Sequence, residues 1–85
     1  MTAKNPLWKI TDAGIYRKFT FQSFSQAFAF MTQVAFLAEK SNHHPDWKNS
    51  FKTVEITYFT HDKSAITELD WNLSFQIDQL YARFS

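Results

Sequence analysis

The stretch SFSQAFAFMTQVAFLAEK, residues 23–40, decides the fold that this sequence predicts. Apolar residues recur in it at intervals of three and four, which indicates an amphipathic helix from Phe24 to about Lys40. Ser23 is a typical N-cap, and Gln26, three residues later, completes a capping-box pattern. The apolar side of such a helix packs against a second layer, which the flanking sequence has to supply.

The apolar stripe of this helix covers about half of its circumference at 100° per residue. Its members are Phe24, Ala27, Phe28, Phe30, Met31, Val34, Ala35, Leu37 and Ala38, whereas Gln26, Gln33 and Lys40 are expected on the opposite, solvated side. Such a stripe is wider than packing on one small sheet requires. Two interpretations remain open, namely a deeply buried core helix and a helix that also contacts a second subunit in a homodimer or homotetramer.

The segments on either side of the helix predict two β-hairpins. Leu7–Thr11 and Ile15–Phe21 are rich in strand-forming residues and flank Asp12-Ala13-Gly14, which is a turn sequence. Trp47–Phe51 and Val54–Thr60 form a similar pair around Lys52-Thr53. Alternation in the last strand places Val54, Ile56 and Tyr58 on one face.

A second helix is predicted from Glu68 to about Arg83. Thr67 and Asp70 form a capping-box pattern at its start, with Asp in place of the usual Glu or Gln. Its apolar stripe consists of Leu69, Leu73, Ile77, Leu80, Tyr81 and Phe84. The element order is therefore β-β-α-β-β-α, which predicts one α+β domain over residues 1–85. We expect two layers, a four-stranded antiparallel sheet with the helices on one face.

Composition narrows the functional classes. The chain has 85 residues, is 45% hydrophobic and carries a formal charge of +1, with its lysines and arginines scattered. No basic stripe predicts a nucleic-acid partner. Since there is no cysteine, disulfides and thiolate metal sites are excluded. No apolar run has the length of a membrane span and no signal peptide opens the chain, so we expect a cytoplasmic protein without a membrane partner.

The three histidines of the chain form the candidate site. Residues 39–47, EKSNHHPDW, hold His43 and His44 immediately before a proline. If the first helix extended to His43, Glu39 would share its face, stabilise its protonated form and fix its tautomer. His61 follows the second hairpin, whose geometry can return the strand end to the loop before it. The three imidazoles could then line one pocket.

Four interpretations of these histidines are consistent with their spacing. They could be solvated side chains without a function, or a three-histidine zinc site with an open position. They could perform acid–base catalysis without a metal, because imidazole titrates near neutral pH. The chain could also be a protein-interaction module. Spacing does not separate these four.

The order and spacing of several residue types in this chain resemble the pattern of the pterin-4a-carbinolamine dehydratase family. That family's pattern is an acidic residue, His-His-Pro four positions on, an aromatic about six later, a further His and then an Asp. The residues that fit it here are Glu39, His43, His44, Pro45, Phe51, His61 and Asp70. The resemblance also covers Trp8 and Phe19–Phe21, and so spans nearly the whole chain.

The resemblance implies a 4a-hydroxytetrahydrobiopterin dehydratase, a hydro-lyase that removes water from a 4a-hydroxytetrahydropterin to give quinonoid dihydropterin. It further implies a functional link to an aromatic amino-acid hydroxylase, a role in tetrahydropterin recycling, and no metal or cofactor. The implied catalytic residues are His43, His44 and His61. The implied substrate-binding residues are Glu39, Asn42, Pro45, Phe59, Thr60 and Asp62.

Two residues depart from the family's usual pattern. Asn42 stands where many relatives have Asp, and Leu69 stands where they often have Arg. Asp70 has two interpretations, of which we favour helix capping over a role in the site. Some family members also act as dimerisation cofactors for a homeodomain transcription factor. The alternative function is therefore an interaction module that serves as a dimerisation cofactor or transcriptional coactivator.

Overall fold

A computed structural model describes residues 3–84, so the predicted domain of residues 1–85 extends beyond the described residues at both ends. Its elements are β1 (Lys9–Thr11), β2 (Gly14–Thr20), α1 (Phe24–Ser41), β3 (Asp46–Ser50), β4 (Thr53–Tyr58), a short 3-10 helix (His61–Lys63) and α2 (Glu68–Ala82). All strand pairings are antiparallel, and the order across the sheet is β1-β2-β4-β3. The predicted α+β architecture is confirmed.

The two central strands supply the sheet's contribution to the core. Val54, Ile56 and Tyr58 of β4 are fully buried, as the alternation predicts, and Ile15 and Phe19 of β2 lie opposite Tyr58 and Val54. Residues directly opposite each other in an antiparallel pair share a face. Both helices contribute buried residues to the same apolar cluster, so they cover this one face of the sheet.

Helix α1 begins and ends at residues with recognisable capping roles. The Ser23 hydroxyl accepts a hydrogen bond from the Gln26 N–H at 3.1 Å. At the other end Asn42 has a left-handed backbone (φ 49°, ψ 44°), and the His43 N–H reaches back to the Ala38 carbonyl at 3.0 Å. This six-to-one bond is the Schellman termination, in which the chain leaves the helix direction. The helix therefore stops before His43.

The side of α1 that faces the core lies within the predicted apolar stripe but is narrower than that stripe. Ala27, Phe30, Val34 and Ala38 are buried, whereas large exposed aromatics lie elsewhere on the helix, namely Phe24, Phe28 and Phe36. Apolar residues cover so much of this helix that periodicity does not select the half that meets the sheet. Gln33, predicted on the solvated side, is partly buried.

Helix α2 is positioned by its N-terminal cap and by one polar cluster. The Thr67 N–H donates to Asp70 Oδ2 at 2.8 Å, which confirms the predicted cap. Farther along, Asp78 accepts hydrogen bonds from Trp8 and Asn5 and pairs with Arg17 at 2.6 Å, which ties the N-terminal segment and β2 to the helix. Leu69, predicted in the apolar stripe, is exposed.

Within residues 3–84, neither helix combines the length and apolar character that crossing a bilayer requires.

Gly14 is the position where the fold depends on the absence of a side chain. Its φ is +134°, and an added Cβ would lie 2.2 Å from the Tyr58 carbonyl oxygen. We expect Gly14→Ala to lower the free energy of unfolding by at least about 2 kcal/mol, because both the backbone and the β2–β4 contact are strained. Urea unfolding measures this, with Ala13→Gly in the same turn as control. A Gly14→Ala protein as stable as the control would contradict the predicted close approach.

Candidate active site

The most buried of the three histidines is His43, which lies beside a buried carboxylate. Its Nε2 is 2.6 Å from Oδ1 of Asp70, and its side chain is 11% exposed while that of Asp70 is fully buried. The Schellman turn at Asn42 directs the chain toward the start of α2, which carries Asp70. A histidine held by an ionised group in a dry environment has a fixed ring orientation, as acid–base chemistry requires.

Asp70 is held in turn by two further donors. Its Oδ2 accepts the Thr60 hydroxyl at 2.8 Å and the Thr67 N–H at 2.8 Å. The Thr67 hydroxyl lies 2.7 Å from that of Thr60. Since an ionised carboxylate only accepts, the Thr60 proton goes to Asp70 and the Thr67 hydroxyl donates to Thr60. Asp70 therefore caps α2, as favoured from the sequence, and contacts His43 at the same time, while its role in the functional site stays a prediction.

Glu39 does not contact His43, and the prediction that it orients His43 is wrong. Its Oε2 lies instead 2.5 Å from Nε2 of His44. The cause is the helix end, because a left-handed Asn42 removes the helical periodicity that would place residues 39 and 43 on one face. His44 and Glu39 are 56% and 76% exposed, so this ion pair is screened by water.

His44 borders an apolar pocket of about 180 Å³ between α1 and β3. The residues that line it are Ala35, Ala38, Glu39, His44, Pro45 and Trp47. Neither His43 nor His61 lines this pocket. The grouping of all three histidines around one pocket therefore stays a prediction.

His61 lies at the start of the short 3-10 helix and approaches the loop that carries the other histidines. Its Nε2 is 3.9 Å from the carboxylate of Asp46, the residue after Pro45, and its ring meets Phe59 edge-on at 5.2 Å between centroids. The predicted return of the strand end to the hairpin entrance is confirmed. Asp46 was missed by the sequence reasoning, although an acidic residue directly after His-His-Pro could have indicated it.

The remaining predicted binding residues occupy different environments. Asn42 is exposed and serves as the left-handed residue that ends α1, a conformation that Asn tolerates better than most residues. Thr60 is buried, and its hydroxyl points inward to Asp70. Asp62 is exposed in the 3-10 helix. In residues 3–84, no group of three or more histidine and acidic side chains is arranged to hold a metal ion.

Tyr58 contacts both the backbone and the ring of His43. Its hydroxyl donates to the His43 carbonyl at 3.1 Å, and the two rings are 5.1 Å apart. Burial raises the pKa of the Tyr58 hydroxyl, and the negative charge of Asp70 raises that pKa further. Tyr58 therefore stays a neutral donor well into the alkaline range.

The fold is that of the pterin dehydratases. The structure superimposes with a TM-score of 0.85 on a Brucella melitensis protein described as a transcriptional coactivator/pterin dehydratase, at 38% identity over 89% of this chain and 83% of that one. A second solved structure, a pterin dehydratase-like protein identified as a RuBisCO assembly factor in the alpha-carboxysome, matches at 0.77 over 95% of this chain and 96% of that one. At 21% identity it shares the fold alone.

The sequence comparisons agree with this class. The family model described as pterin 4 alpha carbinolamine dehydratase matches residues 1–80. Proteins provisionally named after this dehydratase are 47% identical in Afipia carboxidovorans, over 93% of this chain and 81% of that protein, and 51% identical in Mesorhizobium japonicum, over 87% and 78%. The chain belongs to the pterin-4a-carbinolamine dehydratase family.

The raised pKa of Tyr58 predicts a loss of stability at alkaline pH. The folded protein keeps the Tyr58 proton when the unfolded chain releases it near pH 10, so this contribution is complete below about pH 10 and falls above it, by up to about 1.4 kcal/mol per pH unit. We expect the free energy of unfolding of wild type to fall more steeply above about pH 10 than that of Tyr58→Phe. Urea unfolding at several pH values measures it, with Tyr81→Phe as the control, since the Tyr81 hydroxyl donates to a backbone carbonyl as well, at 2.9 Å. Parallel curves for wild type and Tyr58→Phe would contradict it.

Proposed function

We propose that the protein removes water from a 4a-hydroxytetrahydropterin by histidine acid–base catalysis. The observation that carries the proposal is the 2.6 Å contact between His43 and the fully buried Asp70, on a chain of the dehydratase family. Two further histidines lie on adjoining loops, each near a carboxylate of its own. A double proton transfer requires two titratable groups, and these three imidazoles are the candidates for that role.

The reaction needs an acid and a base. Hydroxide is a poor leaving group, so an acid protonates the 4a-oxygen as the C4a–O bond breaks and water departs. A base takes the proton from a ring nitrogen, whose electron pair forms the new double bond to C4a. The products are water and quinonoid dihydropterin, and no electrons leave the substrate. Each positioned proton transfer contributes on the order of 10²–10⁴-fold to the rate.

We assign the acid to His43, because the 2.6 Å contact with the buried Asp70 carboxylate holds its ring in one orientation. His61 is assigned as the base or as a group that holds the pterin ring, since its ring is exposed and lies 3.9 Å from the exposed Asp46 carboxylate. His44, paired with Glu39, can serve either step. We further propose that Asn42, Pro45, Phe59 and Asp62 contact the pterin, and that Thr60 does so through its backbone.

The proposal extends to the biological setting. The substrate class is what an aromatic amino-acid hydroxylase leaves behind, so the protein would act in the cytoplasm beside such an enzyme and return the pterin for reduction. We propose tetrahydrobiopterin as the recycled cofactor. Comparing the turnover of 4a-hydroxytetrahydrobiopterin with that of other 4a-hydroxytetrahydropterins would test this choice of substrate.

The acid–base proposal predicts the effect of histidine substitutions. We expect His43→Ala and His61→Ala each to lower turnover at least tenfold, which is about 1.4 kcal/mol of activation barrier. The measurement is dehydration of enzymatically generated 4a-hydroxytetrahydropterin in the presence of a chelator. Lys63→Ala, in the same 3-10 helix as His61, is the matched control and should retain activity. Loss of wild-type activity on chelation, with recovery on adding zinc, would overturn the metal-free mechanism.

A second candidate function is an interaction module, which two observations favour. The Brucella melitensis relative is described as a coactivator as well as a dehydratase. Helix α1 also exposes Phe24, Phe28 and Phe36, at 49%, 57% and 71%. Three exposed phenylalanines on one helix are more than an isolated subunit of this size needs, so we propose that a second copy of the chain covers part of them in a homodimer or homotetramer. A complex that survives His43→Ala would separate this function from catalysis.

The oligomer proposal predicts dissociation by a charge on the exposed side of α1. We expect wild type to sediment as a dimer or tetramer at micromolar concentration, and Phe28→Lys as a monomer with unchanged unfolding free energy. Phe30 is unsuited to this test because it is fully buried. Gln79→Lys, an exposed position on α2, is the control. A monomeric wild type would contradict the proposal.

A further inference from the structure

Thr60 and Thr67 form a chain of two hydroxyls that ends on the carboxylate behind His43. We propose that this chain sets the tautomer of His43 through Asp70, so that Nδ1 is the ring nitrogen that exchanges a proton with the substrate. The Thr60 side chain is then a positioning group that acts through Asp70 and does not itself contact the pterin. The part of the proposal that concerns substrate rests on the proposed function, whereas the tautomer is a property of the free protein.

The argument begins with the two oxygens of Asp70. Oδ2 is occupied by the Thr60 hydroxyl and the Thr67 N–H, both at 2.8 Å, which fixes the plane of the carboxylate and leaves Oδ1 for the histidine. Oδ1 lies 2.6 Å from His43 Nε2. Because an ionised carboxylate offers no hydrogen, Nε2 must carry one in both the neutral and the protonated ring.

It follows that Nδ1 is the nitrogen whose protonation changes. In the neutral ring it holds a lone pair, and in the protonated ring it holds the proton that can be given to a leaving hydroxyl. Within residues 3–84 no protein group hydrogen-bonds His43 Nδ1, and this nitrogen is not among the fully buried atoms without a partner, so a ligand can reach it. Nε2 of His43 thus holds the ring in its orientation, and Nδ1 is the nitrogen that can exchange a proton with the substrate.

The Thr60 hydroxyl can be removed with little disturbance of the backbone. Thr60 is held by a bridge to Ala65, with the Thr60 N–H donating to the Ala65 carbonyl at 3.0 Å and the Ala65 N–H returning at 3.3 Å. These bonds do not involve the side chain. Thr60→Val keeps the shape and the β-branch but withdraws one donor from Asp70 Oδ2, so the carboxylate can rotate and the Thr67 hydroxyl loses its acceptor.

The first test is the nitrogen NMR spectrum of the histidine rings in ¹⁵N-labelled protein, at a pH where the His43 ring is neutral. Wild type should show His43 as the Nε2–H tautomer alone. Thr60→Val should show a mixture of tautomers, and Thr60→Ser should restore the wild-type spectrum. Thr57→Val, on the opposite face of β4, is the control. A wild-type Nδ1–H tautomer, or a Thr60→Val spectrum identical to wild type, would overturn the proposal.

The second test is kinetic and uses the same variants. Thr60→Val should lower kcat by roughly three- to tenfold with KM nearly unchanged, because the residue acts on His43 and makes no side-chain contact with the substrate. An unchanged kcat in a variant with disturbed tautomers would overturn the assignment of Nδ1 as the exchanging nitrogen. If wild type does not turn over any 4a-hydroxypterin, the proposed function fails, while the NMR result still decides the tautomer.

Discussion

The carboxylate of Asp70 is the contact on which the site depends, because it joins three parts of the chain that are distant in sequence. It binds His43 just after α1, Thr60 just after β4 and Thr67 just before α2. A fully buried carboxylate is costly unless its oxygens are satisfied, and three donors offset that cost here. Removing any one of the three segments from its place would leave this charge without enough partners, so the cap of α2 and the orientation of His43 are coupled.

This coupling divides the three histidines into two kinds. His43 is nearly buried, has a fixed partner and rests on Tyr58, so its ring can be preorganised for a proton transfer. His44 and His61 are exposed and pair with exposed carboxylates, so they can adjust to a ligand. In the proposed mechanism, one rigid histidine and two adaptable ones would suit a substrate that enters from water and leaves after losing one water molecule.

Much of the fold follows from the sequence because its signals are local. The helix at residues 23–40, the alternation of Val54, Ile56 and Tyr58, and the cap formed by Thr67 and Asp70 each depend on near neighbours and are confirmed. The face of α1 that meets the sheet was not predictable, because apolar residues such as Phe28 and Phe30 occur on both sides of the helix. Tertiary packing decides between them.

The contacts between side chains in the site were less predictable than the identity of the residues that form it. Helical spacing predicts a contact between Glu39 and His43. The left-handed residue Asn42 ends the helix before His43, and Glu39 contacts His44 instead. The true partner of His43 lies 27 residues away, and no local pattern connects Asp70 to it. Only the family spacing included both residues, and that spacing carries no information about which side chains touch.

The central claim is that the buried carboxylate orients the catalytic histidine as well as capping a helix. The most direct measurement is kcat for pterin dehydration by Asp70→Asn, with near-UV circular dichroism to verify the fold. Asn can still accept the Thr67 N–H, so the fold should persist, but the amide does not hold the protonated imidazole. In serine proteases the equivalent change lowers kcat by roughly 10⁴-fold. We predict a loss of at least about 100-fold here. A folded Asp70→Asn protein with a kcat equal to that of wild type would contradict the account.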